Sequence, residues 1–489
     1  MQIHQLSLKQ IAELICAREL SPLEVLRAHL DRIERFNPKL NAFIELRAEA
    51  ALREAQAAED AARNRRRLGP LHGVPISIKS AIAVAGLKHE CGSRTRVGIV
   101  ADQDAVLVQR LKNAGAIVVG NTNVPEMLMA YETDGPLYGR TNSPWDLQRT
   151  PGGSSGGEAA AIAAGLCCGG IGSDGGGSIR VPAHFSGICG LKPTPGRIPA
   201  TGHWPESLGP FALLGVVGPM ARTVTDVELM FRVTAGFDAG DAMASPIPLR
   251  DDCDDVLSGS TVETQHAASL PSALDSINGG TITVGYFEEH PSAPVTSETR
   301  TAVCRAATAL KCAGVPVEPF RCDLLSDARE HWWTLFVRLA AEILAPEFKG
   351  REVETGTILT YCDRPPTKED LLSAWFERDR LRLCLAKQMS KVQVILCPVC
   401  SVPAFHHGER EWNIGGKRVS YMDAMSYTQW FNLLGNPALV VPVGSSVEGL
   451  PIGIQIVGQP NAEELILKVG RVLERALGPY RPAPMMLEA

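Results

Sequence analysis

Apolar residues first recur at helical spacing, with Leu26, Leu30 and Ile33 on one face. Ser7 with Gln10, and Ser21 with Pro22 and Glu24, stand where helix N-caps belong. An alanine-, glutamate- and arginine-rich stretch predicts that helix continues over 41–67. The period then drops to two: Val74, Ile76 and Ile78 share one face, Ser77 and Lys79 the other, so a lysine ends an apolar strand. A helix over 104–113 closed by Gly115, a buried strand over 116–119 and a polar loop over 120–126 leading to another helix follow. A helix begins at 225–231, and 281–287, 297–312 and 315–317 read as strand, helix, strand. Helices over 331–343 and 371–389 carry Trp332, Trp333, Phe336, Trp375 and Phe376, either as core or as a pocket wall. Strands over 392–396, 438–443 and 452–457 precede a closing helix over 463–477. This alternation predicts an α/β protein with a mixed, twisted central sheet flanked by helices on both faces.

The stretch from 150 to 191 breaks these periods. Ser154 sits among Gly152, Gly153, Gly156 and Gly157, and Ser178 follows Gly175, Gly176 and Gly177. Between them, 158–164 reads as a short helix and 166–171 as an extended segment. Glycine loops turn tightly and aim successive N–H groups at one point, the geometry of an oxyanion-stabilising loop; they also serve for close packing or for cradling phosphate. Two such loops, each presenting a serine, point to nucleophilic chemistry. Lys79 gains interest in that light. A lysine held in apolar surroundings is neutral more easily, and a neutral amine is a general base that serves a serine without a histidine.

Composition limits the alternatives. The 489 residues are 45% apolar and 21% charged, with a formal charge of -6 that is evenly spread. The one basic run, Arg65, Arg66 and Arg67, reads as a solvated helix end, so no nucleic-acid partner is expected. Lys9 and Glu13 interrupt any signal-peptide core, and no apolar run has the length of a membrane span. Thirteen scattered cysteines then read as reduced thiols of a cytoplasmic protein. Cys397 and Cys400 form the one C-x-x-C, without a second pair at zinc spacing. The segment 236–280, rich in Asp, Ser, Pro and Gly, reads as a variable surface excursion within one domain spanning 1–489.

Several stretches together resemble the amidase signature hydrolases: 69–79 (GPLHGVPISIK), 120–126 (GNTNVPE), 152–157 (GGSSGG), 172–180 (GSDGGGSIR), 431–437 (FNLLGNP) and 450–455 (LPIGIQ). The resemblance covers most of the chain and sets its signature core at 69–235. It implies Ser178 as nucleophile, Ser154 as a bridging serine on a cis peptide bond, Lys79 as terminal base, and the N–H groups of Gly175, Gly176 and Gly177 as the oxyanion hole. It calls for no metal or organic cofactor. Two positions depart from the family pattern: Ser80 stands where an acid is usual after the lysine, and Gly175 where threonine or isoleucine is common.

The reading is a serine amidohydrolase that forms an acyl-enzyme on a carboxamide, ester or carbamate, acting on a small molecule, without nucleic acid or a membrane span, with a homodimer as the one assembly considered. Met127, Met129, Tyr131, Trp333, Phe336 and Trp430 are candidate pocket residues, with the helical segment 320–390 along the pocket. An amidotransferase A-type subunit that acts on acylated tRNA with partner subunits is the alternative. It ranks lower because 196–205 is unlike the corresponding sequence of such a protein and no basic surface is evident. A histidine-dependent α/β-hydrolase built on the G-x-S-x-G at 152–156, with His406 or His407, and an idle binding protein are further alternatives.

Overall fold

The two opening helices, Leu8–Ala17 and Pro22–Leu40, start where the caps foretell: Ser7 and Gln10 form a reciprocal capping box, and the Ser21 side chain accepts from the N–H groups of Leu23 and Glu24. A computed structural model of the chain describes residues 2–64, 68–250, 282–348 and 357–488. The expected helix over 41–67 is interrupted. Phe43–Leu46 forms strand β1, antiparallel to a later strand with Phe43 buried, and helix resumes over Ala48–Arg63. Pairing at the sheet edge overrides the helical propensity of the flanking residues.

The remaining strands are β2 (Pro75–Lys79), β3 (Ile117–Thr122), β4 (Gly169–Asp174), β5 (Cys189–Lys192), β6 (Val216–Ala221), β7 (Val284–Tyr286), β8 (Val317–Pro319), β9 (Val394–Pro398), β10 (Glu411–Ile414), β11 (Lys417–Ser420), β12 (Ala438–Ser445) and β13 (Pro451–Gly458). Among the described residues β1 and ten of these form one eleven-stranded mixed sheet, ordered β1-β3-β2-β4-β6-β5-β12-β13-β9-β7-β8, and β10 and β11 form a separate hairpin. β2 runs parallel to both β3 and β4, while β12 and β13 pair antiparallel. Helices cover both faces. One apolar core joins Ile76 and Ile78 to the helices Val106–Asn113, Val224–Thr234, Ser297–Cys312 and Glu463–Leu477; the other joins Val119 and Val440 to Pro22–Leu40, Gly156–Ala163 and Ser426–Leu433. The expected α/β sheet with two helical layers is the fold observed.

Every residue of β2 is buried, so its period of two separates two interiors rather than core from solvent. Ile76 and Ile78 enter one core, and Ser77 faces the short Gly156–Ala163 helix, where its hydroxyl donates to Glu158. After β3 the expected helix shrinks to a single turn, Glu126–Leu128, in which Met127 and Leu128 adopt positive φ. Residues 236–250 are held in part by Arg197, which donates to the Ile247 carbonyl at 2.6 Å. The rest of the proposed 236–280 excursion lies outside the described residues, as do Arg65, Arg66 and Arg67. No described helix is long and apolar enough to cross a membrane.

Candidate active site

β2 delivers Lys79 to the interior, where its side chain is wholly buried. Nζ lies 2.7 Å from Ser154 Oγ, 3.0 Å from Ser155 Oγ and 3.3 Å from the Ser173 carbonyl. The Gly153–Ser154 peptide bond is cis. Burial brings the amine down to about 7, against the opposing pull of Asp174, Cys91 and Glu158. Glu158 is pushed up to about 7 by burial, although the Ser77 and Thr122 hydroxyls donate to it.

Ser178 is partly exposed, one residue short of the Arg180–Ser186 helix's flanking position Ile179. Its carbonyl accepts from the Ser155 N–H at 3.1 Å. The loop before it is held from three sides. Trp332 Nε1 donates to the Gly175 carbonyl at 2.8 Å, and Tyr131 Oη and Thr428 Oγ1 donate to the Gly176 carbonyl at 3.0 and 2.7 Å. The Gly177 N–H is committed to Asp174 Oδ1 at 2.7 Å, whereas the N–H groups of Gly175, Gly176 and Ser178 make no backbone hydrogen bond among the described residues. Burial raises Asp174, yet the bidentate Arg180 guanidinium and the N–H groups around it hold its carboxyl well below the usual range. Arg180 thus braces the loop instead of facing a substrate.

The glycine run answers to aromatic neighbours. A Cβ on Gly175 would stand 2.4 Å from Phe336 Cζ, and one on Gly176 would stand 2.4 Å from Trp332 Cζ2. Those rings stack 5.5 Å apart on a helix that widens into a π-turn at Trp333–Arg338, a device frequent at functional sites.

Ser154 and Ser178 open onto a cleft walled by Met127, Met129, Tyr131, Phe211, Trp332 and Phe336. Of the sequence-predicted pocket residues, Met127, Met129, Tyr131 and Phe336 reach it. Trp333 is buried one position away, and Trp430 packs instead against Tyr427 and His290. Trp375 and Phe376 face outward, 42% and 75% exposed. Sequence reasoning passed over Phe211, Ser173 and His203, which also line the cleft. Ser173 lay in plain view inside the second glycine motif. Phe211, between a glycine loop and an unrecognised strand, gave no signal.

His406 and His407 do not reach the cleft, and Ser154 has a lysine beside it where an α/β-hydrolase needs a histidine. Cys397 and Cys400 are buried free thiols at the end of β9. Comparison with known proteins supplies the decisive fact: the family model described as Amidase matches residues 24–467. The chain belongs to the amidase signature family. Breaking a carbon–nitrogen bond by hydrolysis is the chemistry of this amidase fold, and the chain is an amide hydrolase.

Across its length this amidase is 33% identical to the A-type subunit of the glutamyl-tRNA(Gln) amidotransferase of Carboxydothermus hydrogenoformans, with 99% of this chain and 100% of that one covered. It is 34% identical to the same subunit of the Nitratidesulfovibrio vulgaris enzyme, covering 98% of each. A solved structure of 6-aminohexanoate cyclic dimer hydrolase with its substrate superposes with a TM-score of 0.83 at 28% identity, over 99% of this chain and 100% of that one.

These relatives correct one expectation. A chain that acts on a small molecule, without nucleic acid, as a homodimer, is not what the related sequences support: they are subunits of an enzyme named for a tRNA. The opposite expectation rested on the 196–205 segment and on the absence of an evident basic surface in a chain of formal charge -6. Net charge reports how much of a chain's own surface can neutralise phosphates, and it is silent on membership of a larger assembly.

Proposed function

We propose that this amidase is the amide-cleaving A-type subunit of an amidotransferase and that it works through an acyl-enzyme on Ser178. One observation carries the chemistry: a buried lysine, brought down to about 7, lies 2.7 Å from a serine that shares its cleft with a second, more exposed serine. Neutral Lys79 takes a proton from Ser154, which takes one from Ser178, and Ser178 Oγ attacks the carbonyl. The N–H groups of Gly175, Gly176 and Ser178 receive the oxyanion. The same relay returns the proton to the departing nitrogen, and water then clears the acyl-enzyme. Esters and carbamates share this carbonyl chemistry and are expected as side activities. Residues 69–235 carry the catalytic groups within one domain, and Trp332 and Phe336 of the 320–390 segment supply part of the aromatic wall beside Tyr131 and Phe211. A cytoplasmic site of action is supported by the tRNA-linked relatives and by free thiols throughout the described residues.

The experiment is fluorophosphonate labelling with peptide mass spectrometry, together with recovery of tagged chain from its own cells. An adduct on Ser178 that is lost or greatly slowed in Lys79→Ala, and co-purifying partner polypeptides, are the expected results. An adduct on Ser154 that persists without Lys79 would defeat the relay, and a chain recovered alone would defeat its placement in an amidotransferase.

A second reading has its own observation. Among the described residues no arginine or lysine lines the cleft, and the arginines near it are paired: Arg180 with Asp174, Arg329 with Asp423, and Arg338 with Glu330 and Asp363. Such a wall favours a carboxamide whose acyl group is uncharged and apolar. Preference for benzamide over glutamine in ammonia release would establish it, and the reverse preference would remove it.

A further inference from the structure

The cleft has a polar wall that the serine relay leaves unused. His203 lies in the Gly- and Pro-rich segment just before the cis Trp204–Pro205 bond, with its main chain pinned by hydrogen bonds from His203 N–H to the Ala200 carbonyl and from Trp204 N–H to the Ala81 carbonyl, both 2.9 Å. Its Nδ1 lies 3.0 Å from the Pro205 carbonyl. A carbonyl only accepts, so Nδ1 carries the ring proton. Burial brings the imidazole down to about 3, with the Lys79 charge acting the same way, so the ring holds one proton and Nε2 is a bare acceptor.

Ser173 Oγ lies 2.9 Å from that Nε2 and must give it its hydrogen. What remains on Ser173 Oγ is lone pairs, and no other hydrogen bond reaches it among the described residues. The same residue sits on the relay side of the cleft: its carbonyl is 3.3 Å from Lys79 Nζ, and its N–H donates to Ser155 Oγ at 3.3 Å. Ser173 and His203 line the cleft together with Ser154 and Ser178.

We propose that Ser173 Oγ accepts a hydrogen bond from the N–H of the scissile amide, and that His203 is the positioning residue that makes this hydroxyl an acceptor only. A free serine hydroxyl turns either way and tolerates any leaving atom. With its hydrogen committed to His203, it rewards a nitrogen that carries hydrogen and sets lone pair against lone pair when an ester oxygen occupies the same place. The pair therefore selects amides over esters. This inference rests on the acylation of Ser178 proposed above.

The test measures kcat/KM for a panel of primary carboxamides and the ethyl esters of the same acids, with fluorophosphonate labelling of Ser178 run in parallel. In Ser173→Ala and in His203→Leu the amide-to-ester ratio is expected to fall about tenfold, the worth of one neutral hydrogen bond. His203→Gln, whose Oε1 can accept from Ser173, should recover part of it. A role confined to holding the loop lowers amide and ester rates together, so an unchanged ratio in both variants overturns the proposal. So does a wild-type enzyme that takes the label on Ser178 yet cleaves no carboxamide of the panel. Absence of the Ser178 adduct in the wild type would instead defeat the underlying reading, and this inference with it.

Discussion

Two wholly buried lysines sit at the ends of neighbouring parts of one sheet, and burial brings both down to about 7. Lys79, closing β2, is surrounded by hydroxyls: Ser154 and Ser155 lie within 3.0 Å. Lys192, closing β5, makes its hydrogen bond to the Pro193 carbonyl at 3.0 Å, with Arg180 lowering it further and Asp174 and Glu463 opposing. Both have the depressed basicity that marks a functional lysine, yet only Lys79 has an acidic hydrogen within reach and a cleft beyond it. A perturbed amine becomes a base through its partners.

The widest separation between the two should appear in turnover. Lys79→Ala is expected to lower kcat/KM for amides by at least about 10³-fold, and Ser178→Ala by as much. Lys192→Met, similar in volume, should stay within about threefold, since Lys192 meets no hydroxyl. The pH profile sharpens the contrast. Lys79 works deprotonated, so kcat/KM should rise with pH through an apparent value near 7 and keep that limb in Lys192→Met. A limb that moves with Lys192 would mean that the pair titrates as one system and that the contrast is wrong.

A smaller loss should follow from crowding the oxyanion loop near Lys79. Gly175→Ala would set a methyl 2.4 Å from Phe336 Cζ, and that ring cannot retreat freely because Trp332 stacks on it and Phe211 meets it edge-on at 6.0 Å. Amide turnover should fall by about 10- to 100-fold, through displaced donors. Phe336→Leu in the same chain should restore part of it. Equal loss in the single and double variants would show that the loop fails for a reason other than this contact.

That coupling also explains what the sequence could and could not disclose. Ser154, Ser178 and Lys79 stand in runs whose glycine content and order are visible in one dimension, and the strand that ends at Lys79 announced itself by its period of two. The helices 297–312 and 463–477 were legible for the same reason, and the structure gives them the same bounds. β5 and β6 were not: CGLK and VVGPMA are short, wholly buried and without alternation, so nothing separates them from a turn until their partners are known. The roles of Gly175 and His203 depend on contacts 157 and 30 residues away, Trp332 to Gly175 and His203 to Ser173. No local pattern encodes such distances.

Stability offers a finer comparison. An unfolded lysine titrates at about 10.4, whereas Lys79 and Lys192 titrate in the folded chain at about 7. Between those values the unfolded chain holds protons that the folded chain lacks, so both lysines make stability rise with pH across that window. Lys192→Met removes one contributor, so the gain in Tm between about pH 7 and about pH 10 should shrink relative to wild type. Melting curves at half-unit intervals measure it. An undiminished gain would mean that Lys192 remains protonated in the fold, paired with Asp174 or Glu463, and so differs from Lys79 more deeply than its burial suggests.

The smallest expected effect lies next to Lys79 itself. Ser80 is wholly buried and its hydroxyl has no hydrogen-bond partner, while its N–H donates to the Thr122 carbonyl at 3.3 Å. An unpaired buried hydroxyl contributes desolvation cost without return, and alanine keeps the backbone contact. Ser80→Ala should therefore leave stability unchanged or raise it by up to about 1 kcal/mol in urea unfolding. It should also leave the pH limb near 7 in place, because burial sets the Lys79 amine against the pull of Asp174, Cys91 and Glu158, and the Ser80 hydroxyl is not among those groups. A loss above about 1 kcal/mol would assign the Ser80 hydroxyl a partner of its own. A displaced limb would draw the Ser80 hydroxyl into the group that tunes the lysine, and the contrast between Lys79 and Lys192 would then rest partly on the residue just beyond β2.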